Sequence, residues 1–248
     1  MNMNGKVALV TGGGRDIGGA TALRLAQAGA SVAINYFKSA DGANKVVADI
    51  EAAGGKAFAL AGDMTNQDDV DALIKRTVEE FGGIDIVAHI TGGIIARKKL
   101  PELTVEHWNA VMDLNVTSLL RVVRTAVPHM REGGSIVTMA SQAGRDGAGP
   151  GAIAYGAAKG AIMTMTRGLA KELAPAIRVN SVCPGMINTD FHNIFTAPEV
   201  REKVAAATPL KREGQSKEVA NLVAFLASDE AAFLTGVCYD INGGTVFS

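Results

Sequence analysis

The chain has 248 residues, enough for one large apolar core, and no linker, repeat or low-complexity tract marks a second domain. Its 24 Lys and Arg nearly balance 25 Asp and Glu, for a net charge of −1, which leaves no electrostatic case for nucleic acid or an anionic membrane as partner. No stretch of about 18 apolar residues could span a bilayer, and M-N-M-N-G-K at the start lacks the apolar core of a signal peptide, so the expectation is a cytoplasmic protein, with binding of a small molecule left open.

The first predicted element is a strand near 6–11, K-V-A-L-V-T, which breaks into G-G-G-R-D-I-G-G and then into the helical A-T-A-L-R-L-A-Q-A-G-A. Glycines in such a turn let the backbone approach a phosphate, and the free N–H groups of the helix start supply donors and a positive dipole end. A dinucleotide is the expected guest; taken alone, the same loop reads equally as a turn that binds nothing. Short β-branched runs near 31–35, 57–61, 84–89, 135–140, 177–182 and 236–241 follow, alternating with longer helical patterns. Seven strands with helical crossovers predict a doubly wound α/β fold. A parallel sheet covered on both faces explains why V-A-L-V, I-D-I-V and S-I-V-T-M are unbroken apolar runs.

Ligands of such sheets lie beyond the carboxyl ends of the strands, where strand order reverses. Those ends carry Thr11-Gly12, Asn35 to Lys38, Asp63-Met64, Thr91-Gly92, Ser141 and Pro184-Gly185. Between the fifth and sixth strands, Y-G-A-A-K puts Tyr155 and Lys159 four residues apart, so that on a helix a phenol stacks against an ammonium. A free tyrosine titrates at about 10, too high for acid–base work at neutral pH, and a nearby cation lowers it. The glycine turn, Ser141 and this helix are expected to meet in one crevice. Cys183 and Cys238 lack metal-ligand spacing and read as reduced interior thiols. The scattered His89, His107, His129 and His192 form no metal motif, and Arg97-Lys98-Lys99 reads as a solvated run.

Seven features occur in order: T-G-G-G-R-D-I-G at 11–18, G-D-M at 62–64, L-N-V at 114–116, Ser141, Y-G-A-A-K at 155–159, P-G-M-I-N-T at 184–189 and D-I-N-G-G at 240–244. Over essentially its whole length the chain thereby resembles the short-chain dehydrogenase/reductase family, in its single-domain branch. In general look it is similar to the 3-oxoacyl-acyl-carrier-protein reductases. The resemblance implies a Rossmann-fold oxidoreductase that interconverts a carbonyl and an alcohol by hydride transfer with a nicotinamide cofactor. It implies Tyr155 as proton donor or acceptor at the carbonyl oxygen, with Ser141 donating a hydrogen bond to that oxygen. Lys159 would lower the tyrosine pKa and hold the nicotinamide ribose, and Asn115 would position a water that links the lysine to solvent. Alone, Ser141 also reads as a turn residue and Asn115 as a helix N-cap.

The same resemblance places the nucleotide on Gly12, Gly14, Arg15, Asp16 and Ile17 of the turn and on Asn35, Tyr36, Phe37 and Lys38 after the second strand. It continues along Asp63 and Met64, Thr91 and Gly92, Tyr155 and Lys159, and Pro184, Gly185, Ile187 and Thr189. The acidic residue expected about 20 positions after the glycine turn, which binds the ribose 2′-hydroxyl of NAD, is absent, and Tyr36 occupies its place. Arg15 and Lys38 could neutralise a 2′-phosphate, so NADP (as NADPH) is the expected cofactor and NAD the alternative. Asp63 also reads as a cap of the following helix.

Asp16 stands where T-G-x-x-x-G-x-G has its second glycine, and its carboxylate is expected to turn outward as N-cap of the next helix. His89-Ile90-Thr91-Gly92 replaces N-N-A-G, with a structural role for His89 preferred over an extra acid–base group. The loop G-R-D-G-A-G-P-G ahead of Tyr155 is expected to shape substrate entry. Residues 190–208, with Phe191, Ile194, Phe195 and Val200, read as a lid over a partly apolar carbonyl compound. Ala174-Pro175 stands near the place where 3-oxoacyl-carrier reductases usually have an arginine, so sugars, steroids and xenobiotic ketones remain beside 3-oxoacyl thioesters, in either direction of reaction. A different class of reading is a nucleotide-binding regulatory or scaffold protein without turnover, against which the set Asn115, Ser141, Tyr155 and Lys159 speaks. The apolar end G-V-C-Y-D-I-N-G-G-T-V-F-S resembles the family's interface-forming last strand and implies a homotetramer, the alternative being a buried edge strand in a monomer.

Overall fold

The computed structural model describes residues 1–247. Strands β1 (Val7–Thr11), β2 (Ser31–Tyr36), β3 (Ala57–Ala61), β4 (Ile84–His89), β5 (Met130–Met139), β6 (Ile177–Pro184) and β9 (Cys238–Ile241) form one sheet in the order β3-β2-β1-β4-β5-β6-β9. Every pairing in it is parallel. Strand order reverses between β1 and β4, whose last residues Thr11 and His89 stand side by side, and there the crevice of a doubly wound sheet opens.

Helices cover both faces, which is why all five residues of β1 are buried and its sequence shows no alternation. On one face α1 (Asp16–Gln27), α2 (Ala40–Ala52) and α10 (Ser216–Ala227) bring Ala22, Leu25, Val46, Ile50, Val219 and Val223 onto the sheet. On the other, α3 (Gln67–Phe81), α5 (Ser118–Ala126) and α7 (Ile153–Leu173) bring Val70, Leu73, Ile74, Leu119, Val122 and Ile162. Helix α4 (Val105–Met112) passes through a π-helical turn, Asp113–Thr117, directly into α5. Three short helices, α6 (Ala143–Asp146), α8 (Asp190–Phe195) and α9 (Pro198–Ala207), stand at the carboxyl ends of the strands.

The seven predicted strands are all present, and the starts of two of them differ by two residues or more. β5 begins at Met130 instead of 135, because its first residues are largely exposed and carry no apolar signal. β9 begins at Cys238 instead of 236, since Gly236 has a φ of 77° and turns the chain before the strand. A two-stranded parallel ladder of β7 (Ile187–Asn188) and β8 (Gly214–Gln215) was not foreseen. Among the described residues no helix is long and apolar enough to cross a membrane.

Candidate active site

A cleft of about 900 Å³ runs along the carboxyl ends of the central strands, near the top of the size range of small-molecule sites. Every cofactor and catalytic position named from the sequence lines it, except Gly14 and Asn115. Gly14 is pressed against Ser39, and a Cβ there would collide with the serine hydroxyl. Asn115 lies one layer back, behind Gly92 and Gly93.

The glycine turn is built for close packing. A Cβ at Gly18 would run into the carbonyl oxygen of Gly12, so only glycine lets α1 start directly on the turn. Asn35 fixes the turn from the side: its Oδ1 accepts the Gly12 N–H at 3.3 Å and its Nδ2 donates to Gly62 O at 2.9 Å, joining the ends of three strands. Asp16 corrects one expectation. It is the first residue of α1, with Arg15 at the N-cap and no capping side chain, and its φ of 50° is the left-handed conformation of the glycine it replaces. Its Oδ1 accepts the Asp190 N–H at 3.2 Å, across the cleft at the start of α8. Burial raises its pKa, and the Asp190 N–H bond and nearby Arg15 oppose that rise.

Arg15, expected to meet a 2′-phosphate, extends toward Asp190, with Nη1 3.4 Å from Oδ2. Lys38 lies over the exposed ring of Phe37, 5.2 Å from its centroid. Asp63 does not cap α3: its Oδ1 accepts the N–H and hydroxyl of Thr65 at 2.9 and 2.8 Å, and Asn66 is the cap. Met64 is buried, and Ile187 is fixed by the β7–β8 ladder, with Thr189 at the N-cap of α8.

One turn of α7 presents Tyr155 and Lys159 to the cleft. Lys159 Nζ donates to Met139 O at 2.7 Å and sits 5.5 Å from the centroid of the Tyr155 ring. The acidities differ from expectation. Burial pushes the Lys159 ammonium down to about 7, while burial pushes the Tyr155 phenol up and a hydrogen bond with Ser141 draws it partly back. In this arrangement, then, Tyr155 is not made acidic by Lys159; the phenol keeps its proton at neutral pH. Ser141, just beyond β5, also accepts the Ala143 N–H through Oγ at 3.2 Å.

Asn115 is not an N-cap; it sits inside the π-helical turn, a local widening that recurs at functional sites. Its Nδ2 donates to Val111 O and Gly93 O, each at 2.8 Å, and its Oδ1 accepts the Gly93 N–H at 3.1 Å. The neighbouring Gly92 leaves room for this convergence: a Cβ there would come within 2.7 Å of Asn115 Oδ1 and 3.0 Å of Lys159 Nζ.

His89 is buried and outside the cleft lining. Ser118 Oγ donates to Leu114 O at 2.7 Å and so must accept from His89 Nε2, 3.2 Å away. That assignment leaves Nδ1 to accept from Thr11 Oγ1 at 3.1 Å, and Thr11 in turn accepts the Thr91 N–H at 3.3 Å. Burial, with the Lys159 charge, lowers the ring to about 3 and keeps it neutral.

Arg97, read from sequence as part of a solvated run, lines the cleft: Nε donates to Phe195 O at 2.9 Å and Nη1 to Pro150 O at 3.1 Å. Nothing in R-K-K distinguishes it. Of the expected lid residues, Phe191 lines the cleft with its ring 5.9 Å from that of Tyr155, and Phe195 packs on Phe191 at 5.3 Å. Ile194 and Val200, 63% and 50% exposed, face away from any packed interior. Met186, Gln142 and His192 also line the cleft without having been named for it. Helix α9 is braced by Arg201, whose Nε and Nη2 each reach a Glu213 carboxylate oxygen at 2.7 Å.

A parallel sheet with a glycine turn at its reversal point, facing a Tyr–Lys pair and a strand-end serine, defines a Rossmann-type dehydrogenase or reductase. The family model described as Enoyl-(Acyl carrier protein) reductase matches residues 12–246. The chain belongs to the short-chain dehydrogenase/reductase family, nicotinamide-dependent oxidoreductases acting on carbonyl and alcohol groups. It is 40% identical over 248 residues to a 3-oxoacyl-[acyl-carrier-protein] reductase from Synechocystis, with 98% of each chain covered. A short-chain dehydrogenase from Burkholderia cenocepacia, solved in complex with NADP, superposes with a TM-score of 0.92 at 37% identity, over 98% of this chain and 99% of that one. A blue fluorescent protein from a metagenomic library, in complex with NADPH, gives 0.93 at 32% identity and full coverage of both.

Proposed function

We propose that the protein is a cytoplasmic, NADP-dependent reductase of a partly apolar carbonyl compound, a single domain in which Tyr155 is the general acid. The observation that carries this reading is the convergence of Tyr155, Ser141 and the buried Lys159 in the cleft that begins at the glycine turn. A phenol raised above its ordinary value keeps its proton at neutral pH and can give it to a carbonyl oxygen. Ser141 would donate to the same carbonyl oxygen. Asn115 keeps the Gly93 backbone in place beside Lys159, which would hold the ribose hydroxyls.

The residues present fit the nucleotide. The turn offers backbone N–H groups at the start of α1 for a pyrophosphate, and β2 ends on Tyr36, followed by Phe37 and Lys38, without a carboxylate to repel a 2′-phosphate. NADP and NADPH are also what the Burkholderia and metagenomic relatives hold; NAD is the alternative. When bound, the nicotinamide supplies the hydride. Proton donation by a placed phenol contributes about 10² to 10⁴ in rate, and orientation in the cleft contributes much of the rest.

Helices α8 and α9 act as the lid, with Phe191 closing the wall beside Tyr155. Phe191, Met186 and Ile94 make that wall apolar. This supports the 3-oxoacyl thioesters named for the Synechocystis relative, with steroid or xenobiotic ketones next and sugars last. The test is loss of reduced-nicotinamide absorbance with NADPH and a ketone panel that includes a 3-oxoacyl thioester. Wild type is expected to turn over at least one member, and Tyr155→Phe to lose about 100-fold or more. Tight NADPH binding with no turnover of any carbonyl would instead make the protein a nucleotide sensor.

A further inference from the structure

The loop after β4 carries Arg97 to the substrate end of the cleft, where its guanidinium is held from two sides. One partner, Phe195 O, ends α8; the other, Pro150 O, lies in the loop before α7, whose Ala148 and Gly149 line the same wall. The adjacent Lys98 N–H donates to Gly151 O at 2.8 Å and braces that loop again. The guanidinium is thus fixed by the protein before any substrate arrives.

Both of its partners are neutral. Arg145 and Arg201, which are more buried than the exposed Arg97, each carry a carboxylate, Asp240 at 2.9 Å and Glu213 at 2.7 Å. Among the described residues no carboxylate oxygen lies within 4.0 Å of Arg97. Of the five N–H donors of a guanidinium, the two bonds to Phe195 and Pro150 engage two. The one acid in the cleft on this side, Asp146, already accepts the Ala148 N–H at 2.9 Å and Gln142 Nε2 at 2.9 Å. His192, the other titratable group at this end, is neutral near pH 7, because burial and the charges of Arg201 and Arg97 lower it to about 4. The mouth therefore has an apolar wall, a hydroxyl pair at its floor and one uncompensated positive charge at its rim.

We infer that Arg97 is a specificity-determining residue that receives an anionic group of the substrate, a carboxylate or a phosphate, while the substrate carbonyl meets Tyr155 and Ser141. This rests on the carbonyl-reductase reading above. A planar fork already oriented by two carbonyls matches the paired oxygens of either anion. Because the protein fixes the fork in advance, less ordering is left to the binding step.

The experiment compares kcat/KM, with NADPH, for a homologous series of oxo acids, each paired with its methyl ester. A second arm pairs a hydroxyketone phosphate with the unphosphorylated hydroxyketone, so the two arms separate carboxylate from phosphate recognition. Wild type is expected to favour the anion at least tenfold in one pair, equivalent to about 1.4 kcal/mol. Arg97→Met is expected to reduce that anion-to-neutral ratio tenfold or more. Loosening of the two braced loops acts on both members of a pair, so the ratio reads the charge alone. A wild-type ratio below ten in every pair, or a ratio reduced less than tenfold by Arg97→Met, would overturn the inference. The wild-type ratios decide alone if the variant does not fold. Turnover of the neutral members with no anion preference removes only this inference, whereas no turnover of any member removes the reductase reading with it.

Discussion

At position 89 a histidine ring replaces the asparagine of the family pattern, and both of its nitrogens are engaged by hydroxyls from β1 and α5. Folding confines the ring to its neutral form, with a pKa of about 3 against an ordinary 6.5. Between those values the unfolded chain binds a proton that the folded one refuses, so this group's contribution to stability falls as pH drops from 6.5 toward 3 and levels off below. Urea midpoints measured at pH 7 and pH 5 are expected to fall less for His89→Asn than for wild type; equal falls would contradict the assignment. Lys159 follows the same sign higher up: with its folded value at about 7 against 10.5, stability rises with pH across that interval. Tyr155 and Lys159 stood out in the sequence by their spacing and Ser141 through the family resemblance, and all three line the cleft. The direction of the tyrosine shift was not legible, since burial by surrounding elements outweighs a cation held 5.5 Å from the ring and turned to Met139. Arg97 was illegible for a related reason: only the approach of Phe195 and Pro150, distant in sequence, distinguishes it from Lys98 and Lys99.

Elements with a period or a run announce themselves, and those set by tertiary contact do not. The seven sheet strands were readable because a sheet covered on both faces demands continuous apolar residues. The β7–β8 ladder has two residues per strand, too few for any pattern, and exists because the connection through α8 and α9 returns beside Ile187. Asn115, which alone reads as a helix N-cap, sits instead inside the π turn Asp113–Thr117, and that wider turn has no sequence mark. Helix α1 carries one flaw that can be tested. Thr21 is fully buried and its hydroxyl has no hydrogen-bond partner among the described residues. An unpartnered buried hydroxyl opposes folding, and valine has nearly the same shape and helix propensity. Thr21→Val is therefore expected to stabilise the protein by about 1 kcal/mol in urea titration; a loss of stability would show that the hydroxyl has a partner.

On the scale of the molecule, the sheet ends in β9, an edge strand with β6 on one side only. Among the residues that flank β9 in sequence, Val237 is 39% exposed, Phe247 87% and Phe233 fully so. An open edge with exposed aromatic groups beside it is a surface for self-association, and it supports the homotetramer proposed from the resemblance. Light scattering of purified protein is expected to give the mass of four chains; the mass of one would sink the proposal. Inside the molecule, the least conspicuous position has wide reach. The hydrogen atom that Gly92 carries in place of a side chain keeps an amide oxygen and an amine within touching range of the backbone. Adding a single methyl group would press on both at once, shifting the charged partner of the phenol without altering any atom that takes part in the reaction. A catalyst arranged in this way can be retuned from a site that has no chemistry of its own.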